Sequence, residues 1–189
     1  MKRVCAALAL CLGCGPSTAS RAPESEPEPA PEVVVDDASA QASAAPQDGA
    51  PIELDVPLVS GESEALANLR GRVVVLLISS SDRPGWQEFR RHFEAELSRV
   101  GRERLAVIAV ANDPDPKGLL AEWDRNPPPF LLSWDPAGAV ALRLGVAKLP
   151  AVFVLDAGGR LAGGVAQMDS DALRQVDRWV EDGLPAPTH

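Results

Sequence analysis

Three runs of aliphatic and β-branched residues constrain the architecture more than any other feature. Arg72 to Ser79 (RVVVLLIS), Leu105 to Ala111 (LAVIAVA) and Ala151 to Asp156 (AVFVLD) contain almost no polar side chain. A strand with one face in water alternates apolar and polar residues; these runs do not, so each reads as a strand covered on both faces. Helices supply such cover, and the intervening stretches have helical periodicity. Trp86, Phe89, Phe93, Leu97 and Val100 form one apolar stripe within a helix expected over Pro84 to Val100. Asp82 is placed to cap that helix, with Pro84 in its first turn, where a missing N–H costs nothing. A second helix is expected from Pro116 through Trp123, ended by Asn126-Pro127-Pro128-Pro129.

Phe130 to Leu132 reads as a short extended piece, followed by Asp135-Pro136 and a small helix over Ala137 to Leu144. Ala157-Gly158-Gly159-Arg160 reads as a tight hairpin turn, and Leu161 to Gln167 as the returning strand, weakened by Gly163 and Gly164. Ser170 is expected to cap a last helix whose apolar positions are Leu173, Val176, Trp179 and Val180. The order is β-α-β-α-β-β-α, preceded by a strand or hairpin near Ile52 to Val59, an α/β chain with a mixed central sheet flanked by helices.

This domain, residues 51–189, occupies only part of the 189-residue chain. Residues 1–14 (MKRVCAALALCLGC) open with Lys2 and Arg3, and Val4 to Leu12 is apolar or small. Nine such residues are too few for a spanning helix, which needs about 20, so the segment reads as a secretory signal. Its end, Leu12-Gly13-Cys14, resembles the lipobox of bacterial lipoprotein signals, in which the chain is cut before a cysteine that is then acylated. Cys11 departs from that pattern, where an aliphatic residue is preferred. The resemblance implies lipidation at Cys14 and attachment to a membrane through it; the plainer alternative is an ordinary signal with an incidental Cys14. Residues 15–50 hold six Pro, nine Ala, five Ser and seven acids against one base, Arg21, and only Val33-Val34-Val35 interrupts the polarity. Such a Pro/Ala/Glu-rich stretch buries too little apolar area to offset its ordering entropy and is expected to be a disordered linker.

Charge and cysteine usage exclude several functions. The chain carries 18 Lys and Arg against 27 Asp and Glu, a net charge of −9. A nucleic-acid surface would need a basic face to replace phosphate counterions, so no nucleic-acid partner is expected. Cys5, Cys11 and Cys14 are the only cysteines. From Gly15 onward there is no thiol for a disulfide, a zinc–thiolate site, an iron–sulfur cluster or a cysteine nucleophile. With His92 and His189 as the only histidines, no metal site and no cofactor is expected.

Three stretches together resemble the thioredoxin fold, in its TlpA-like or redoxin (AhpC/TSA-related) branch found in bacterial envelopes. They are Leu69-Arg70-Gly71-Arg72 before the first apolar run; Asp135-Pro136-Ala137-Gly138 with Leu144-Gly145-Val146; and Leu149-Pro150-Ala151-Val152-Phe153-Val154-Leu155-Asp156-Ala157-Gly158-Gly159-Arg160. The resemblance covers nearly all of residues 51–184. It implies a three-layer sandwich and, in most of the family, thiol–disulfide exchange. The departure is at the site. Where the family has Trp-Cys-x-x-Cys, this chain has Ser79-Ser80-Ser81-Asp82-Arg83-Pro84-Gly85-Trp86. Counted from Val73, the two cysteine positions fall on Arg83 and Trp86; anchored on Pro84, they fall on Asp82 and Gly85. Neither register contains sulfur.

Exchange needs one thiolate to attack and a second thiol to resolve, so no catalytic residue is assigned. Serine is a poor nucleophile at neutral pH without a base, and Ser81 or Asp82 reads better as a helix cap. The resemblance leaves a peptide groove made of Ser81, Asp82, Arg83, Pro84, Gly85 and Trp86 with Leu149 and Pro150. In the family the residue before that proline offers its backbone to an extended peptide, and the bond is cis. Arg83 near a helix N-terminus would favour an anion such as a carboxylate, and Trp86 would supply an apolar wall. The plainer alternative leaves Arg83 solvated, Trp86 as the start of the core stripe and Pro150 as a backbone constraint.

The leading expectation is a redox-inactive, lipid-anchored bacterial envelope protein, on the periplasmic or outer-membrane side, that binds or scaffolds a peptide or protein. The enzymatic alternative is a thiol–disulfide oxidoreductase using a cysteine supplied from outside the domain, by a partner or by an unacylated Cys14. A purely accessory module is a third.

Overall fold

The computed structural model describes residues 49–186. The signal, lipidation and linker expectations for residues 1–48 lie outside the described residues.

The three apolar runs form the centre of one five-stranded sheet. Strand β3 (Val73–Ser79) is buried at every position, as is β4 (Leu105–Ala111), and β6 (Ala151–Leu155) nearly so. The strand order is β5-β4-β3-β6-β7, with β5 at Leu131–Trp134 and β7 at Leu161–Val165. β3, β4 and β5 run parallel, while β6 is antiparallel to β3 and β7 antiparallel to β6. A separate hairpin, β1 (Asp55–Pro57) with β2 (Ser63–Ala65), precedes the sheet and leads into a 3-10 turn at Leu66–Leu69.

Alternation along β3 divides the core into two layers. Val73, Val75 and Leu77 face a layer built by α1 (Trp86–Val100), α2 (Lys117–Arg125) and α4 (Ser170–Gly183). Val74, Leu76 and Ile78 face the β1–β2 segment, Leu66 and Leu69, and the short α3 (Ala139–Arg143). Helix, sheet and helix make the three-layer sandwich expected from the sequence, with a mixed sheet at its centre. All five residues of the α1 stripe are buried. Arg90 is buried with them at 6% exposure. Its Nε donates to Glu94 at 2.9 Å and its Nη1 to Glu122 at 3.0 Å, while Nη2 donates to the Asn126 carbonyl, so a rigid guanidinium ties α1 to the end of α2.

Several boundaries differ from expectation for identifiable reasons. Asp82 does not cap α1. The chain turns through Arg83–Gly85, Gly85 takes φ +92° as the N-cap without any side-chain bond, and helix begins only at Trp86. Pro84 therefore precedes the first turn instead of lying in it. Ser170 does not cap α4 either. Asp169 holds the extended backbone a cap requires, and its carboxylate accepts from Ala172 N–H at 2.8 Å, which leaves Ser170 as the first helical residue. β7 stops at Val165, short of Gln167. Its glycines have a packing role: a Cβ on Gly163 would lie 2.2 Å from the Trp179 ring, so α4 reaches this strand only because the side chain is absent.

The chain enters the domain against the β6–β7 turn. Ile52 N–H donates to the Gly159 carbonyl at 2.8 Å, Pro51 bridges Arg160, and Arg160 Nε donates to the Gly49 carbonyl at 2.9 Å. Gly71 N–H donates to the Ala157 carbonyl at 2.8 Å, which sets this clasp beside the start of β3.

Candidate functional site

The parallel strands β3, β4 and β5 end together, and their carboxyl ends place polar residues side by side. β3 leads into Ser80–Gly85, β4 into Asn112-Asp113, and β5 into Asp135. The β3–β6 register, with Ile78 opposite Ala151, sets Pro150 and Leu149 next to Ser79 and Ser80. The two halves of the groove expected from sequence thus meet at one end of the sheet. The Leu149–Pro150 bond is cis.

The individual residues divide by exposure. Asp82, Arg83 and Pro84 are exposed, Ser81, Gly85, Leu149 and Pro150 half-buried, and Trp86 buried at 3%. Arg83 and Asp82 therefore form the outer rim, while Trp86 belongs to the core below. As a wall for a ligand Trp86 has almost no surface to offer; it begins the core stripe, the plainer of its two readings. Ser81 has neither a nucleophile's nor a cap's bonding. Its hydroxyl donates to Asp113 Oδ1 at 2.7 Å, and its N–H reaches the two carboxylate oxygens at 3.2 and 3.0 Å. His92, the one histidine within the described residues, lies elsewhere, its Nε2 2.7 Å from Asp177 Oδ1 between α1 and α4. Among the described residues Ser81 and His92 therefore make no catalytic pair.

Three residues important to this end of the molecule escaped the sequence reading. Asp113 is 8% exposed and fastens the Ser81 loop to β4. Trp134 is 37% exposed, and its Nε1–H donates to the Asp113 carbonyl at 2.8 Å, which fixes an indole at the rim. Met168, in the loop between β7 and α4, presses on the α1 cap: a Cβ on Gly85 would lie 3.0 Å from Met168 Cβ and 3.1 Å from its carbonyl oxygen. Asp113 and Trp134 each stand at the carboxyl end of a parallel strand, a position that could have marked them; Met168 has no such signal. Behind them, Asp135 accepts from Ala139 and Val140 N–H at 2.9 and 2.7 Å and holds the start of α3. Among the described residues no group of three or more His, Cys, Asp or Glu side chains is placed to hold a metal ion. No helix among them is long and apolar enough to cross a membrane.

This arrangement presents backbone and a polar rim, with an arginine and an indole at its edge.

No family model matches the chain, and no curated protein matches it. Solved structures do. A Chlorobium tepidum protein described as a thiol:disulfide interchange protein, DsbE, superposes with a TM-score of 0.66 at 17% identity, over 74% of this chain and 99% of its own. The MTB protein dsbF, solved in mixed oxidized and reduced forms, gives 0.59 at 18% identity over 72% and 98%. The exposed lipoprotein thioredoxin Etrx1 of Streptococcus pneumoniae gives 0.54 at 17% identity over 67% and 98%. At such low identity the likeness speaks to architecture, and the architecture is the thioredoxin-like fold.

Proposed function

We propose that this protein is a redox-inactive thioredoxin-like module that binds an extended peptide or protein segment at the bacterial cell envelope, held to a membrane through lipidated Cys14. One observation carries the reading: between Gly15 and His189 there is no cysteine, so the loop from β3 to α1 has no thiol to attack or to resolve a mixed disulfide. Packing at Gly85 supports it, because Met168 already fills the space a side chain there would need. The peptide lies along Ser81–Gly85 and the Leu149–Pro150 backbone, with Arg83 at its rim. One structural neighbour is described as an exposed lipoprotein, which favours an envelope setting.

An insulin-reduction assay on the full chain with Cys5, Cys11 and Cys14 all replaced by serine tests inactivity. Background turnover is expected, and any sustained reduction overturns the reading. Turnover seen only when Cys14 is present and unacylated supports the alternative, an oxidoreductase borrowing its thiol from outside the fold. A peptide array tests binding: wild type should retain ligands that Leu149→Asp loses. Equal retention by both removes the groove. Mass spectrometry of the mature amino terminus tests lipidation.

A further inference from the structure

The triple proline that ends α2 shapes the opposite end of the sheet as well. Proline has no N–H to offer a neighbouring strand. β5 accordingly joins β4 only from Leu131, opposite Ile108. Leu105 to Val107 pair with β3 on one side and, among the described residues, have no strand on the other. A hollow of about 330 Å³ opens along that bare edge. The half-buried Pro129, Phe130 and Leu131 give it apolar surface, and Arg72, Arg102 and Glu64 give it charge. Arg72 immediately precedes β3, and Arg102 lies in the turn between α1 and β4; Arg72 Nη1 is 3.5 Å from the Arg102 carbonyl. Among the described residues neither guanidinium forms an ion pair.

We propose that this hollow binds a small monocarboxylate with an apolar body. Guanidinium groups match carboxylates in both charge and geometry, and among the described residues these two have no carboxylate of their own. Glu64 leaves the lining one positive charge in excess. A single carboxylate balances that charge, whereas a phosphate dianion overshoots it and is repelled by Glu64. The apolar walls take an alkyl or aromatic body. The volume lies at the small end of ligand pockets, which start near about 300 Å³. A free fatty acid and an amino-acid or peptide carboxyl terminus share this chemistry. The site is independent of the peptide groove and stands or falls without it.

Thermal unfolding of the full chain with octanoate, octylamine, octanol and N-acetyl-leucine tests the proposal. A carboxylate that binds the folded state raises Tm in proportion to the logarithm of its concentration above Kd. Octanoate, N-acetyl-leucine or both should do so, and octylamine and octanol should not. A response to octanoate alone identifies an acyl-chain source; a response to N-acetyl-leucine alone, a peptide or amino-acid source. Arg102→Ala should weaken binding at least tenfold and Arg102→Lys less. Arg72→Ala provides the second arm, its folding checked by circular dichroism. No shift with either carboxylate, an equal shift with octanol, or unchanged binding by Arg102→Ala overturns the assignment.

Discussion

The two ends of the five-stranded sheet are finished in opposite ways. Where β3, β4 and β5 terminate, the polar groups are tied to one another. Ser81 is bound to Asp113, Trp134 to the backbone of Asp113, Asp135 to the start of α3, and Met168 presses on Gly85. Where the same strands begin, Arg72 and Arg102 stand, among the described residues, without carboxylate partners beside a stretch of β4 that β5 does not reach. The end that carries chemistry in proteins of this fold is here the more tightly knit. The other end, which in this chain is interrupted by proline, is the more open. Architecture shared with oxidoreductases therefore says little about which surface of a given chain is available; that depends on a few residues that fill or vacate each end.

This contrast makes graded predictions. Trp86→Cys, which would restore a thiol in one register of the lost motif, removes a large buried side chain and should cost about 3–5 kcal/mol in urea unfolding. A cost under 1 kcal/mol would show that the α1 entrance is looser than described. Gly85→Cys, the other register, forces a side chain against Met168 with φ +92° and should cost about 1–3 kcal/mol. Pairing it with Met168→Ala should recover part of that loss if Met168 is the obstacle, and none if the backbone angle alone is. Asp113→Ala leaves the Ser81 N–H and hydroxyl without their acceptor and should cost about 1–3 kcal/mol, with Asp113→Asn milder. Asp169→Ala should cost about 1 kcal/mol and Ser170→Ala much less, a difference readable from denaturant midpoints. At the open end, Arg102→Ala without ligand should change stability by no more than about 0.5 kcal/mol. A larger loss there would mean that the arginine is structural and that the two ends are more alike than their bonding suggests.

Residues whose placement follows from local pattern were legible in the sequence. Uninterrupted β-branched runs such as VVVLLIS suit a strand buried on both faces, and the Trp86-to-Val100 stripe marks one helical face for the core. The caps were less so. Asp82 and Ser170 are good capping residues by type, but the cap is decided by which residue takes the required backbone angles. Asp169, one residue before Ser170, takes the extended angles, whereas α1 starts three residues after Asp82 from a left-handed Gly85 with no side-chain cap. Asp113 and Met168 were not legible at all as neighbours of the β3–α1 loop. Their partners lie 32 and 83 residues away, and no local periodicity encodes contacts that only the sheet order creates. Arg90 was missed for a related reason: a charged residue inside an apolar stripe reads as solvent-facing until α2 arrives with Glu122 and the Asn126 carbonyl to receive it.

The clasp between Gly49–Ile52 and the β6–β7 turn gives the domain a direction. Whatever precedes residue 49 joins at the Arg72 end, far from Leu149 and Pro150. Arg160→Ala, which removes the side-chain bond to the Gly49 carbonyl, should therefore loosen residues 49–52 at the Arg72 end and leave the Ser81 loop at the other end of the sheet untouched.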